Sequence, residues 1–405
     1  MTSHLLKCHF RVSNLCRKTT LHGATFLRSE LAAVRLSLVI QVRLESIESM
    51  TAFPGPRFLM SKTTYNVGVI GHGWVATAHI PAINATGKAR VTAVYSARPL
   101  TDAELTARYG YPVKAYSDIQ ALLADPAIDV IDICSFPKEH PAQFIAAARA
   151  GKHLIIEKPL ALNPLDLSAM IEVARQTGIK TCVCFEVRYS SQFRAIKSVL
   201  DAGLLGEVHF AEVDYYHGVG PWYGQFRWSH LESEAGSSLL SAGCHAMDAL
   251  LLIMAGSEPV EVTSYSTSSK SEYFAPYDFP TTQISIVKFA DGRIGKTTSC
   301  LDCLQPYYFH THAVGSHGSL LDDKFHSTKL AGLNKAKWSQ LSCGLVDSGD
   351  VKDHPYESQF HAFFEALAEG KEMPLTSFTD AVRSHRLIFA ADQSAAEGKP
   401  VRLGS

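Results

Sequence analysis

The sequence predicts an α/β chain in two parts: a doubly wound parallel sheet, then an α+β region built on a mostly antiparallel sheet. Three observations predict it. Short apolar runs alternate with helix-like segments from residue 65 to about residue 185, as repeated β-α units do. A glycine-rich turn, Gly71-His72-Gly73-Trp74-Val75-Ala76, joins the first run to the first helix. After about residue 186 the strand-like runs lengthen, and Asp291-Gly292 marks a tight hairpin between two of them.

The elements follow in order. Tyr65 to Ile70 is a short apolar run ending in the glycine turn, so it reads as a buried strand. Val91 to Tyr95 is the second. Thr101-Asp102-Ala103-Glu104 forms a capping box that starts a helix, and Gly110 stops it. Ser117-Asp118-Ile119-Gln120 repeats the device. Ile128 to Cys134 is the next strand, Pro141 to Ala150 a helix closed by Gly151, and Leu154 to Glu157 another strand. Asn163 caps a helix with Pro164 at its first position and Asp166 in its first turn. Thr181 to Phe185 is the last run of this part. Gln192 to Ala202 then reads as a helix. Val208 to Tyr216, Val260 to Ser266, Gln283 to Phe289, Ile294 to Cys300 and Tyr308 to Val314 read as strands. Near the end, Phe360, Phe363, Phe364 and Leu367 recur at helical spacing and mark a core-facing stripe. The chain thus divides into residues 1–60, an extension expected to be disordered, then 61–185, then 186–405.

Bulk composition excludes several classes. Hydrophobic residues make up 46% and charged residues 19%, an ordinary globular mix. Lys plus Arg total 38 against 39 for Asp plus Glu, so there is no basic footprint for nucleic acid or an anionic membrane. No run of about 18 apolar residues free of charge is present, so no membrane span is expected. The nine cysteines are odd in number and scattered, which fits a reduced, cytoplasmic setting better than a disulfide framework. Lys7, Arg11, Arg17, Lys18 and Arg28 all precede the first acidic residue, Glu30. Such a start leaves an organelle transit peptide open for residues 1–59. The favoured reading is an over-long start, with Met60 beginning the native chain.

The glycine turn carries the first chemistry. Gly71 permits the tight turn, Gly73 lets a pyrophosphate approach the backbone, and the small Ala76 lets the helix pack on the sheet. Trp74 lies within the turn. Backbone N–H groups at the helix start can meet phosphate oxygens. The motif lies between a strand and a helix, the context that gives it weight as a dinucleotide site. At the end of the second strand the order is Tyr95-Ser96-Ala97-Arg98, with no carboxylate for a ribose 2′-hydroxyl. Ser96 can donate to a 2′-phosphate and Arg98 can pair with it, so NADP is favoured over NAD. Pro137, beyond the strand Ile128 to Cys134, is assigned to the same cofactor site.

Glu157-Lys158-Pro159 follows the strand Leu154 to Ile156. In series with the glycine turn it resembles the Gfo/Idh/MocA oxidoreductase family, whose signature is an E-K-P at this strand end. The resemblance runs from about residue 65 to the end. It includes Gly151 to Leu160, Phe185-x-x-Arg188-Tyr189, and Gly236 to Asp248, which matches a segment of the form G-G-x-L-x-D-x-G-x-H-x-x-D. It implies a Rossmann domain, a C-terminal domain with a large open sheet, and a homodimer or homotetramer formed through that sheet. It implies a sugar or polyol substrate, Lys158 and His245 as catalytic residues, Glu157 and Lys158 beside the cofactor, and Arg188 beside the substrate. A desolvated lysine next to a cationic nicotinamide ring is expected to have a lowered pKa and to act as acid or base. Two positions depart from the pattern. The family's aspartate four residues before the histidine is Ser241, placed on the same helix face as His245 and therefore on the substrate wall. The family's frequent asparagine after Phe185 is Glu186.

Tyr215, Tyr216, Trp222, Tyr223, Phe226 and Trp228 lie close in sequence, and aromatic faces stack on sugar rings. Tyr216 and Trp222 are taken as substrate-binding, with core packing as the alternative. Cys300-x-x-Cys303 with His310 and His312 lacks a second cysteine pair, so no metal site is expected. Two other functions stay open: a redox-neutral, NAD-dependent glycosidase, suggested by Ser241, and a non-catalytic cofactor sensor, against which Lys158 and His245 count.

Overall fold

The computed structural model describes residues 64–404. The expected extension, residues 1–60, lies outside the described residues.

The first sheet holds β1 (Tyr65–Ile70), β2 (Ala89–Tyr95), β3 (Lys114–Tyr116), β4 (Val130–Ile133), β5 (His153–Ile156) and β6 (Thr181–Val183). Its order is β3-β2-β1-β4-β5-β6, and every pairing is parallel. This is the dinucleotide-binding order, in which the strand sequence reverses beside β1. The helices are α1 (Ala76–Ala85), α2 (Asp102–Tyr109), α3 (Ile119–Ala124), α4 (His140–Arg149) and α5 (Pro164–Thr177). The capping signals act as read: Thr101 accepts from Glu104 N with the reciprocal bond in place, and Asn163 accepts from Asp166 N. One shifts by a residue. Asp118, not Ser117, caps α3 by accepting from Gln120 N. Asp is as good a cap as Ser, so the four residues alone could not decide between them.

The second sheet contains β7 (Val208–Tyr216), β8 (Pro259–Thr267), β9 (Thr282–Phe289), β10 (Ile294–Cys300), β11 (Tyr308–Gly315), β12 (Gly318–Leu321), β13 (Lys324–Ser327), β14 (Ser339–Gln340) and β15 (Val401–Arg402). Their order is β14-β13-β12-β11-β7-β10-β9-β8-β15. All neighbours are antiparallel except β7 and β10. Strand alternation gives this sheet two faces. Val213, Tyr215, Val287 and Phe289 are buried on the inner one. The longer helices of this part are α6 (Ser191–Asp201), α7 (Cys244–Ile253), α8 (Tyr356–Ala368) and α9 (Phe378–Glu397), and α7 and α9 pack on this sheet. Tyr265, Ile284, Ile286 and Ile294 stand on the outer face, 44–69% exposed.

The last part of the chain returns to the first sheet. α8 packs on α1, with Phe364 stacked on Tyr65 at 5.8 Å and Phe360, Phe363 and Phe364 fully buried. The stripe read from their spacing therefore fills the core of the first layer, far away in sequence. The helical stretch Glu232–Ile253, interrupted at Gly236, is long and apolar enough to cross a bilayer by composition. Its most apolar window is 78% buried in the protein, which is how a core helix behaves.

Candidate active site

The glycine turn opens onto a cavity of about 620 Å³. Gly71 has φ +95°, and a Cβ there would lie 2.8 Å from the Cys134 carbonyl oxygen. Only glycine suits that position. A Cβ on Gly73 would meet nothing within 4 Å, so its backbone faces open space where a pyrophosphate can approach. Gly71, Gly73, Trp74, Ser96, Arg98, Pro137, Glu157 and Lys158 all line this cavity. Ala76 does not; it is buried at the start of α1, consistent with a packing role. Arg98 donates from Nη2 to the His72 carbonyl at 3.2 Å, and its backbone N–H donates to Ser96 Oγ. The two phosphate-binding candidates thus share one corner with the glycine turn. Cavity, turn and helix start suit a nicotinamide dinucleotide.

A second cavity, about 330 Å³, adjoins the first. Lys158, Tyr215, Tyr223 and His354 line both. Lys158 stands at the C-terminal end of β5, where ligands bind in open parallel sheets. Its loop is fixed on both sides. The carbonyl of Pro159 accepts from His140 Nδ1 at 2.7 Å, and the Leu160 N–H donates to His385 Nε2 at 2.8 Å.

Beneath Lys158 runs a buried polar chain. Asp132 contacts His79 Nδ1 at 3.0 Å, and His79 Nε2 lies 3.1 Å from Glu157 Oε1. Tyr356 donates to the same oxygen at 3.0 Å. Burial opposes charge on both groups, but their neighbours outweigh it. The His79 ring, beside Cys134 and Asp132, sits well above its ordinary pKa. Bonded to His79, the Glu157 carboxyl is held down to about 2.

Lys158 differs from expectation. Burial works to lower its pKa, yet Cys244, Glu157, Glu186 and Tyr223 outweigh it and the net direction is upward. The Cys244 thiol is itself pushed up to about 12 by burial and stays neutral, so the carboxylate of Glu157 is the main support. The lysine rests as an ammonium. His245, in contrast, is pushed well below its ordinary value, first by burial and then by Lys158 and His354. Lysine and histidine are therefore set to opposite states, cationic donor and neutral acceptor.

Three residues expected at the substrate lie elsewhere. Arg188 spends its guanidinium on Asp248, with Nε–Oδ2 at 2.5 Å and Nη2–Oδ1 at 2.8 Å, and on the Leu375 carbonyl at 2.7 Å. It locks two motifs together instead of reaching the cavity. Tyr216 points to the outer sheet face, stacked on Tyr308 at 6.2 Å, because strand alternation turns its neighbour Tyr215 inward. Trp222 is 58% exposed; its indole N–H donates to Gly218 O and its ring packs on Tyr273. Ser241 lines the larger cavity while His245 lines the smaller one. Ser241 lies within the π turn Leu239–Gly243, whereas His245 lies in α7.

The arrangement also contains residues that no motif pointed to. His217 lines the larger cavity and Tyr307 the smaller, with Tyr215 OH 2.9 Å from His217 Nδ1. His354 and Tyr356 arrive from beyond residue 350. Glu186, marked in the sequence only as a departure from the family pattern, faces His245 across 3.6 Å. The Cys300 and Cys303 sulfurs are 3.3 Å apart, and His310 pairs with Glu212 and Asp322. The grouping of Glu212, Asp214 and His310 already holds a cation, Lys296 Nζ, 2.7 Å from Asp214.

Comparison with known proteins agrees with this geometry. Residues 65–185 match the model for an oxidoreductase family with an NAD-binding Rossmann fold, and 193–321 match the Gfo/Idh/MocA C-terminal domain. Myo-inositol 2-dehydrogenase of Thermotoga maritima is 26% identical over 83% of this chain and 98% of its own. Inositol 2-dehydrogenase of Rhizobium meliloti is 28% identical over 84% and 99%. A levoglucosan dehydrogenase solved with NADH and levoglucosan superposes with a TM-score of 0.74 at 24% identity, covering 84% of this chain and all of that one. The chain belongs to the Gfo/Idh/MocA family of NAD(P)-dependent oxidoreductases.

Proposed function

We propose that the protein moves a hydride between a nicotinamide dinucleotide in the larger cavity and a secondary hydroxyl carbon of a sugar or polyol in the smaller one. The observation that carries this reading is Lys158 on the wall common to both cavities, with neutral His245 beside it. The bound dinucleotide supplies the hydride acceptor or donor. In the oxidation direction the Lys158 ammonium hydrogen-bonds the substrate oxygen and stabilises negative charge as it develops. His245 takes the hydroxyl proton. In reverse, Lys158 or protonated His245 returns a proton to the forming alkoxide. Tyr215, Tyr223 and Tyr307 offer an apolar face and hydroxyl tips to a polyhydroxylated ring.

NADP(H) is preferred, because Ser96 and Arg98 occupy the place where an NAD site carries a carboxylate. The dehydrogenase names of the relatives favour net redox chemistry over redox-neutral glycoside cleavage. The exposed apolar outer face of the second sheet supports a homodimer or homotetramer formed through it. Sugars and polyols, myo-inositol and levoglucosan among them, should be assayed by nicotinamide absorbance with both cofactors. Turnover of one or more is expected. Sugar release without net cofactor reduction would instead support the glycosidase, and cofactor binding without any turnover the sensor.

A further inference from the structure

Arg188 and Asp248 bring two segments together. Glu186 lies two residues before the arginine and His245 three before the aspartate, so their ion pair sets the carboxylate against the imidazole. Glu186 is almost fully buried, with a side-chain exposure of 2%. Its Oε1 lies 3.6 Å from His245 Nε2 and 3.4 Å from His354 Nδ1. Its Oε2 and the His245 Nδ1 are buried with no hydrogen-bond partner among the described residues. Side-chain exposure runs 5% for His245, 2% for Glu186 and 23% for His354. One carboxylate oxygen therefore faces two imidazoles, one deep in the reaction cavity and one towards its rim.

We propose that Glu186 bridges His245 and His354 as a proton relay, through which the proton of the substrate hydroxyl leaves the buried reaction centre. The proposal rests on the dehydrogenase reading and deepens it. On oxidation the substrate C–H electron pair and hydrogen go to the nicotinamide as hydride, and the O–H bond breaks as C=O forms. The released proton binds one nitrogen of His245, and the other nitrogen gives its proton to Glu186 Oε1. Glu186 passes a proton to His354 Nδ1, and His354 Nε2 releases one to water. One proton enters and one leaves, so the relay ends unchanged. Separations of 3.4–3.6 Å are longer than a formed hydrogen bond and must shorten or take up a bridging water when substrate fills the cavity.

The groups facing this path suit it. Glu186 is opposed by Lys158, Glu157 and His79, and its carboxyl is pushed up to about 8, chiefly by burial and then by Glu157. His354 faces Lys158, Glu157, His79 and Asp353, and burial holds it down at about 4. His245 faces Lys158 and His354. Near neutral pH the two imidazoles are neutral and Glu186 is the group of the three that titrates.

The test uses the full chain with myo-inositol and levoglucosan as probes and both oxidised cofactors. Glu186→Gln keeps the shape but cannot carry a proton. It should lower kcat about tenfold to hundredfold and flatten the pH profile near pH 8, with KM changed by less than about threefold. His354→Ala should lose turnover similarly in dilute buffer and regain it in concentrated imidazole, which accepts the proton at the rim. Glu186→Gln, blocked inside, should not be rescued. Unchanged kcat in Glu186→Gln, or no rescue of His354→Ala, overturns the relay. If neither probe nor any other sugar or polyol is turned over, the dehydrogenase reading fails instead. Infrared titration of the cofactor-bound protein reads Glu186 independently of turnover: a protonated-carboxyl band titrating near pH 8 and missing in Glu186→Gln supports the relay, and no such band overturns it.

Discussion

Replacing Arg188 by alanine separates a lock from a ligand. The guanidinium makes two bonds to the Asp248 carboxylate, a further bond to the Asp248 carbonyl at 3.1 Å, and one to the Leu375 carbonyl. Both partners are nearly fully buried. Removing the arginine leaves Asp248 with Ser384 Oγ, at 2.7 Å, as its remaining side-chain donor. Breaking one side of a buried pair costs about 3–5 kcal/mol. In a chain of this size that lowers Tm by about 4–7 °C. Scanning calorimetry with urea unfolding measures the loss. The double variant Arg188→Met, Asp248→Leu should recover much of it, because no uncompensated charge remains. If Arg188→Ala unfolded like the parent protein and only raised KM, the arginine would be a substrate ligand and the assignment of a structural lock would be wrong.

Other outcomes follow from packing and charge. Phe364→Ala empties a fully buried site against Tyr65 and should cost about 3–5 kcal/mol in urea unfolding. Arg98→Ala should weaken NADP binding roughly tenfold or more while leaving NAD binding nearly unchanged, as read by titration of each cofactor. His385 is held down at about 4 by burial, so between pH 6.5 and 4 the unfolded chain binds the proton that the folded chain refuses. Stability should fall as pH drops through that window, by up to about 3 kcal/mol from this residue, and unfolding curves of His385→Gln across pH should show a shallower slope.

Much of the fold was legible because local rules and tertiary context agree. β7 and β10 run over the same residues as their apolar runs, and Thr101 and Asn163 begin helices where side-chain caps were read. The cofactor turn was legible because its glycines are required by backbone geometry, as Gly71 shows. The substrate side was less so. Tyr215 and Tyr216 are both aromatic, and only the facing of β7 decides which enters the cavity. The loop places Tyr223 inward and leaves Trp222 on the surface, a choice made by packing against distant segments. Ser241 lines the larger cavity from a π turn that composition does not announce. Arg188 belongs to a recognisable motif, but its role depends on Asp248, sixty residues on. Glu186 was visible as a departure from the family pattern. Its meaning emerges only once His245 and His354 are seen on either side of it.

The central claim is that Lys158 stands where hydride and proton leave the substrate. It is tested most directly by measuring turnover of Lys158→Ala on the sugar or polyol that the parent protein oxidises, with cofactor affinity measured separately by fluorescence. Turnover should fall by about a hundredfold to ten-thousandfold, while the dinucleotide still binds through the glycine turn. Turnover close to that of the parent protein would contradict the account.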